Sequence, residues 1–177
     1  MRAFIALELS EGFVSDTVAL SRVLEARLEG RFMPRENLHL TLAFLGEIGE
    51  EDTCRAIDAM DSACRGEAIV LRSTGLGKFG RSQNATLWLG IEPVYELVSL
   101  SSRLREELSA RGLPYDDKPF KPHVTLARHV HIPKGMLSDL IFPAEGEFTA
   151  LTLFRSKLSR EGAVYKSLYS IPLDGER

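Results

Sequence analysis

The chain has 177 residues, 44% of them hydrophobic and 27% charged, with a net charge of −3 and a pI of about 5.9. That length suits one compact domain or two small lobes sharing a core. No apolar run approaches the length that crosses a bilayer. The acidic balance argues against a surface that grips long duplexes by neutralising many phosphates, but leaves room for a pocket holding one phosphate or one RNA end.

The opening MRAFIALELSEG carries an apolar stretch that Glu8 interrupts too early for a signal peptide. It reads as a first strand over residues 2–9 of a cytoplasmic protein with no membrane partner. Ser10 opens a helix to about residue 28, with apolar positions at Phe13, Val14, Val18, Leu20 and Val23, and Gly30 ends it. Residues 37–46 read as a strand and 50–64 as a helix. That helix holds Cys54 and Cys64, whose spacing fits no common zinc motif, so both read as inert core thiols. Residues 68–78 form a strand. Gly77, Gly80 and the polar run 81–84 then form a hairpin-like loop into a strand over 85–91. Pro93 opens a helix that Gly112 stops. A strand over 121–130, a short helix over 133–140 and a hairpin of 148–157 with 163–171 complete the chain.

A strand–helix–strand unit occurs twice. Arg2 precedes His39 by 37 residues, and Thr86 precedes His123 by 37 residues. The second strand of each unit carries the same text, Leu38-His39-Leu40-Thr41-Leu42-Ala43 and Pro122-His123-Val124-Thr125-Leu126-Ala127. Such a repeat suggests two lobes about a pseudo-two-fold axis, meeting at a shared cleft. Alternation along a strand puts His39, Thr41 and Ala43 on one face and Leu38, Leu40 and Leu42 on the other. The second copy repeats this with His123, Thr125 and Ala127.

A single histidine on a strand is usually structural, but two in matching positions of a repeat form a natural acid–base pair. A neutral imidazole takes a proton from water, and a protonated one gives a proton to a departing alkoxide. Threonine hydroxyls donate to phosphoryl oxygens as charge builds there. This set suffices to open a strained cyclic phosphodiester without a metal.

With H-h-T-h occurring twice about eighty residues apart, the chain resembles the two-histidine (2H) phosphoesterase superfamily. The flanks MRAFIALEL, ENLHLTLAFLGEI, TLWLGIE and FKPHVTLAR are similar to the RNA 2′,3′-cyclic phosphodiesterases within it, also called 2′-5′ RNA ligase or LigT-like proteins. The resemblance covers nearly the whole chain. It implies an α+β fold, bilobal, with two antiparallel sheets facing a central cleft, and hydrolysis of a terminal 2′,3′-cyclic phosphate to a 2′-phosphate with no cofactor. It further implies that His39 protonates the leaving 3′-oxygen, His123 activates water, and Thr41 and Thr125 hold the phosphate. The arginine after H-V-T-L-A recurs in the family, which makes Arg128 a further candidate to supply positive charge to the phosphate.

Strict alternation puts Arg128 on the face of Leu126, away from His123, so either the strand bulges or Arg128 is a solvated strand-end charge. The matching residue in the first copy, Phe44, reads as core or as a wall for a base. His129 and His131 read as surface residues rather than zinc ligands, since no carboxylate or cysteine joins them. Trp88 reads as core, while Phe79, beside two glycines, is the better residue to stack on a base. Lys118 and Lys121 either steer RNA or are simply solvated. RNA 3′ ends or small cyclic-phosphate nucleotides are the expected partners of a monomer. Reversible 2′-5′ ligation and a binding module without turnover are the alternatives.

Overall fold

The computed structural model describes residues 1–135 and 137–175. The first strand, β1 (Arg2–Leu9), leads into α1 (Glu11–Arg27), a two-residue strand β2 (Arg31–Phe32), a 3-10 turn (Arg35–Asn37) and β3 (Leu40–Glu47). Helix α2 (Glu50–Ala63), β4 (Val70–Leu71), β5 (Ser73–Arg81) and β6 (Asn84–Ile91) follow. Then come α3 (Tyr95–Ala110), β7 (His123–Val130), β8 (Gly146–Ser159) and β9 (Gly162–Pro172). The fold is α+β, with one sheet ordered β3-β1-β8-β4, β9 paired to β8, and a second ordered β2-β7-β6-β5. Every strand pairing is antiparallel.

Helical spacing of apolar side chains decides which helix faces are buried. In α3, Leu97, Leu100, Leu104 and Leu108 are wholly buried. In α2 the buried line is Ala56, Ala59, Met60 and Ala63, and small alanines let α2 lie close against α3. Cys54 falls off that line and is exposed, so only Cys64 is the core thiol the sequence suggested. Ser10 occupies the N-cap of α1, yet its hydroxyl makes no capping bond there and instead accepts the Glu147 N–H at 3.1 Å.

Three further expectations need correction. The strand expected over 68–78 is two strands in different sheets: Val70 and Leu71 pair with β8, whereas β5 pairs with β6. A register shift between Ser73 and Gly75, the latter at φ 113°, marks the start of β5. The hairpin loop shrinks to Ser82 and Gln83, because β5 runs through Gly77, Phe79 and Gly80. Of the helix expected over 133–140, Met136 lies outside the described residues, and the rest of that segment is turn and loop.

Both histidine strands share one irregularity. In β3, Ile5 faces Ala43 while Ala6 faces Thr41, so Leu42 is an extra residue. In β7, Leu87 faces Ala127 while Trp88 faces Thr125, so Leu126 is extra. The bulge lets consecutive residues, Leu42–Ala43 and Leu126–Ala127, all be buried. It also reverses the parity of the residues that follow, as far as a second register shift at Leu45 in β3 and between Ala127 and Val130 in β7. Phe44 thereby joins the face of Thr41, and Arg128 joins the face of Thr125.

Candidate active site

His39 lies just after the 3-10 turn and before β3, on the cleft face. Its Nε2 is 3.0 Å from the Thr41 hydroxyl, and the ring also hydrogen-bonds the Asn37 backbone. Phe4 stacks on it at 5.0 Å between centroids, and Tyr165 meets it edge-on at 5.3 Å. Phe154 completes the enclosure at 6.1 Å. Burial among these rings disfavours the imidazolium and lowers the His39 pKa from 6.5 to about 4, outweighing the Asn37 hydrogen bond. The positive charges of His123 and Arg128 lower it further.

His123 opens β7, and its Nδ1 is 2.6 Å from the Lys121 carbonyl oxygen. A carbonyl only accepts, so Nδ1 carries the proton and, in the neutral ring, Nε2 holds the free lone pair. Phe79 meets this imidazole edge-on at 5.1 Å, and Trp88 lies tilted at 5.8 Å. Burial lowers the His123 pKa, and the charges of Lys121 and Arg128 add to that. The Lys121 ammonium sits 4.9 Å above the Trp88 ring and 5.7 Å above Phe79, a cation–π arrangement.

Trp88 is only 9% exposed, as a core residue would be, yet its ring also backs His123 and Lys121. Gly77 makes this possible. A Cβ there would stand 2.1 Å from the indole, so only glycine lets the ring lie flat across β5.

Arg128 is exposed, and the bulge places it on the site face, where its charge acts on His39, His123 and the Tyr165 hydroxyl. The strand does bulge before Arg128, and the side chain is also exposed to solvent. Phe44 is not core: it is 51% exposed and lies 6.1 Å from Phe4. Phe79 is 40% exposed and stands in a strand rather than a flexible loop. His129 and His131 are exposed, with His129 at φ 55° and its Nδ1 3.1 Å from Asn84 Oδ1. Lys118 is exposed beside Asp116 at 3.7 Å.

Sequence reasoning missed Phe4, Phe154 and Tyr165. Phe4 lies on the alternate face of β1, a signal available but unused. Phe154 and Tyr165 reach His39 only because β8 lies beside β1, with β9 beyond it, a pairing that no local pattern specifies. A cavity of about 470 Å³ adjoins His39, walled by Leu9, Leu38 and Phe154 and by the carboxylates Glu8, Glu11 and Glu36. Among the described residues, no three His, Cys, Asp or Glu side chains gather to hold a metal ion.

Two imidazoles on strands of like sequence, one beside the Thr41 hydroxyl and both within the field of Arg128, are groups able to give and take protons. Residues 15–160 match the family model described as the 2′-5′ RNA ligase superfamily, and the chain belongs to that family. It is 30% identical to the RNA 2′,3′-cyclic phosphodiesterase of Thermotoga maritima, over 99% of this chain and 97% of that one. The enzyme of the same name from Thermus thermophilus is 33% identical over 99% and 92%. Among solved structures, apo LigT of E. coli superposes with a TM-score of 0.81 at 28% identity, covering 97% of this chain and 96% of LigT. LigT complexed with 3′-AMP gives 0.82 at 27% identity, covering 98% of each chain.

Proposed function

We propose that the chain hydrolyses the terminal 2′,3′-cyclic phosphate of RNA to a 2′-phosphate, using His39 as acid and His123 as base and no metal. The observation that carries this reading is the pair of imidazoles at matching positions, each hydrogen-bonded to the backbone two residues upstream, with the charge of Arg128 acting on both. Full-length relatives named for this activity support it. On the same reading residues 1–177 are one domain of two pseudo-symmetric lobes, acting as a cytoplasmic monomer on RNA 3′ ends or small cyclic nucleotides.

His123 Nε2 takes a proton from water, and the oxygen attacks phosphorus. The bond from phosphorus to the 3′-oxygen breaks, and His39 supplies the proton that oxygen needs. Thr41 and Thr125 donate hydrogen bonds to the non-bridging oxygens, and Arg128 balances their charge. Phe79 offers a ring face to an RNA base. Both imidazoles have lowered pKa values in the free protein. The proton on His39 is therefore acquired in the complex, where the phosphate anion raises its pKa.

The test is turnover of a dinucleotide ending in a 2′,3′-cyclic phosphate, followed by phosphorus NMR. A 2′-phosphate product that forms equally in EDTA is expected. No turnover, or turnover lost in EDTA and restored by zinc, would refute the proposal.

A further inference from the structure

We propose that the cavity beside His39 receives the 3′-terminal base and that Glu8 reads it, favouring guanine and disfavouring uracil. This inference rests on the phosphodiesterase reading. In-line displacement puts the attacking water and the leaving oxygen on opposite sides of phosphorus. Water sits on the His123 side, so the ribose and its base lie on the His39 side, where the cavity of about 470 Å³ opens. Glu8, Glu11 and Glu36 repel the upstream phosphates from this cavity, whereas Leu9 and Phe154 give a planar base apolar walls.

Glu8 is held in place. The hydroxyl of Thr152, wholly buried, donates to Glu8 Oε2 at 2.6 Å, and Ser170 Oγ lies 2.9 Å from the same hydroxyl. Thr152 has one proton, so Ser170 donates to it in turn. The carboxylate is thus fixed by one hydrogen bond to Oε2 and can still accept at Oε1 and at the remaining lone pair of Oε2. A carboxylate only accepts, and guanine offers two adjacent donors, N1–H and the N2 amine. Adenine and cytosine offer one amine each. Uracil offers a single N3–H between two carbonyl oxygens that repel the carboxylate. Arg35, in the same lining, supplies donors of the kind that match guanine O6 and N7. Phe79 is then left for the preceding base.

The experiment compares kcat/KM for the 2′,3′-cyclic phosphates of guanosine, adenosine, cytidine and uridine, in the wild type and in Glu8→Gln. Guanosine should lead and uridine trail, by roughly tenfold or more, the worth of a hydrogen bond to a charged group. Glu8→Gln puts an amide donor where the carboxylate only accepted, so the guanosine-to-uridine ratio should collapse. Equal wild-type turnover of all four would overturn the inference and leave the phosphodiesterase standing. So would a uniform fall in Glu8→Gln with the ratio intact, the mark of a merely structural carboxylate. Turnover of none by the wild type would sink the phosphodiesterase reading, and this one with it. Should the variant fail to fold, a wild-type ranking without guanosine first and uridine last would still overturn the inference.

Discussion

The two histidine motifs share a text and a bulge but not an environment. His39 is enclosed by Phe4, Phe154 and Tyr165. His123 leans on Phe79 and Trp88 with the ammonium of Lys121 nearby. Burial is the largest cause of the lowered pKa in both rings. A lysine adds to it only at His123. Arginine follows the motif in one copy, phenylalanine in the other. The repeat therefore carries two imidazoles in equivalent backbone settings, and substitutions within it, with Phe79, Phe154 and Tyr165 from outside it, make them unlike. Mutual repulsion already favours one proton on the pair, and the difference in surroundings sets which ring holds it.

The largest expected effects come from the histidines themselves. His39→Ala and His123→Ala should each lower kcat/KM by about 10²–10⁴-fold, the usual worth of a positioned acid or base. The double variant should be little worse than either single one, because the two act together. A substrate whose leaving group needs no protonation should partly rescue His39→Ala and not His123→Ala. Rescue of His123→Ala alone would reverse the assignment. The pH profile sharpens this further. The limbs of kcat should lie at higher pH than those of kcat/KM, because bound anion raises both imidazole pKa values. Coincident limbs would count against protonation in the complex.

Thr125→Val should slow turnover by about 2–4 kcal/mol of transition-state stabilisation, as for other oxyanion donors, with thermal stability near that of the wild type. Thr41→Val tests the other lobe, and wild-type rates in both would remove the threonines from the site. Arg128→Gln should cost about 1.5–3 kcal/mol, the worth of a charge-assisted hydrogen bond. It carries a second signature. Removing a positive charge that lowers both imidazole pKa values should raise both, which proton NMR titration would read. Unmoved titrations would place Arg128 away from the cleft in solution.

The smallest effect is on stability. The unfolded chain binds a proton at His39 near pH 6.5, and the folded protein resists it down to about 4. The unfolded state therefore holds more protons within that window, and folding stability falls as the pH drops through it. The loss is no more than about 3 kcal/mol, and less to the extent that water reaches the partly open ring. Denaturant titrations at pH 7 and pH 4.5 should show a smaller drop in His39→Gln than in the wild type. Equal drops would mean that His39 is solvated.

Much of the fold was legible because its signals are local. The leucine spacing of α3, the strand text around His39 and His123, and the final hairpin each lie within a short window. The split of residues 68–78 between two sheets was not legible, because β-propensity does not name a strand's partner. Phe44 and Arg128 were misplaced, or left undecided, for one reason: strict alternation presumes a regular strand, and one extra residue reverses the parity of the residues just beyond it.

The sequence by itself determined the repeat, the two imidazoles and the hydroxyl two residues beyond each, since these are facts of order along one chain. Tertiary structure alone decided what surrounds them. Phe154 and Tyr165 reach His39 from more than a hundred residues away, through the lateral pairing of β8 with β1 and with β9. Strand pairing and burial are long-range, so the local dielectric, and with it the proton affinity of each histidine, exists only once the sheets have formed.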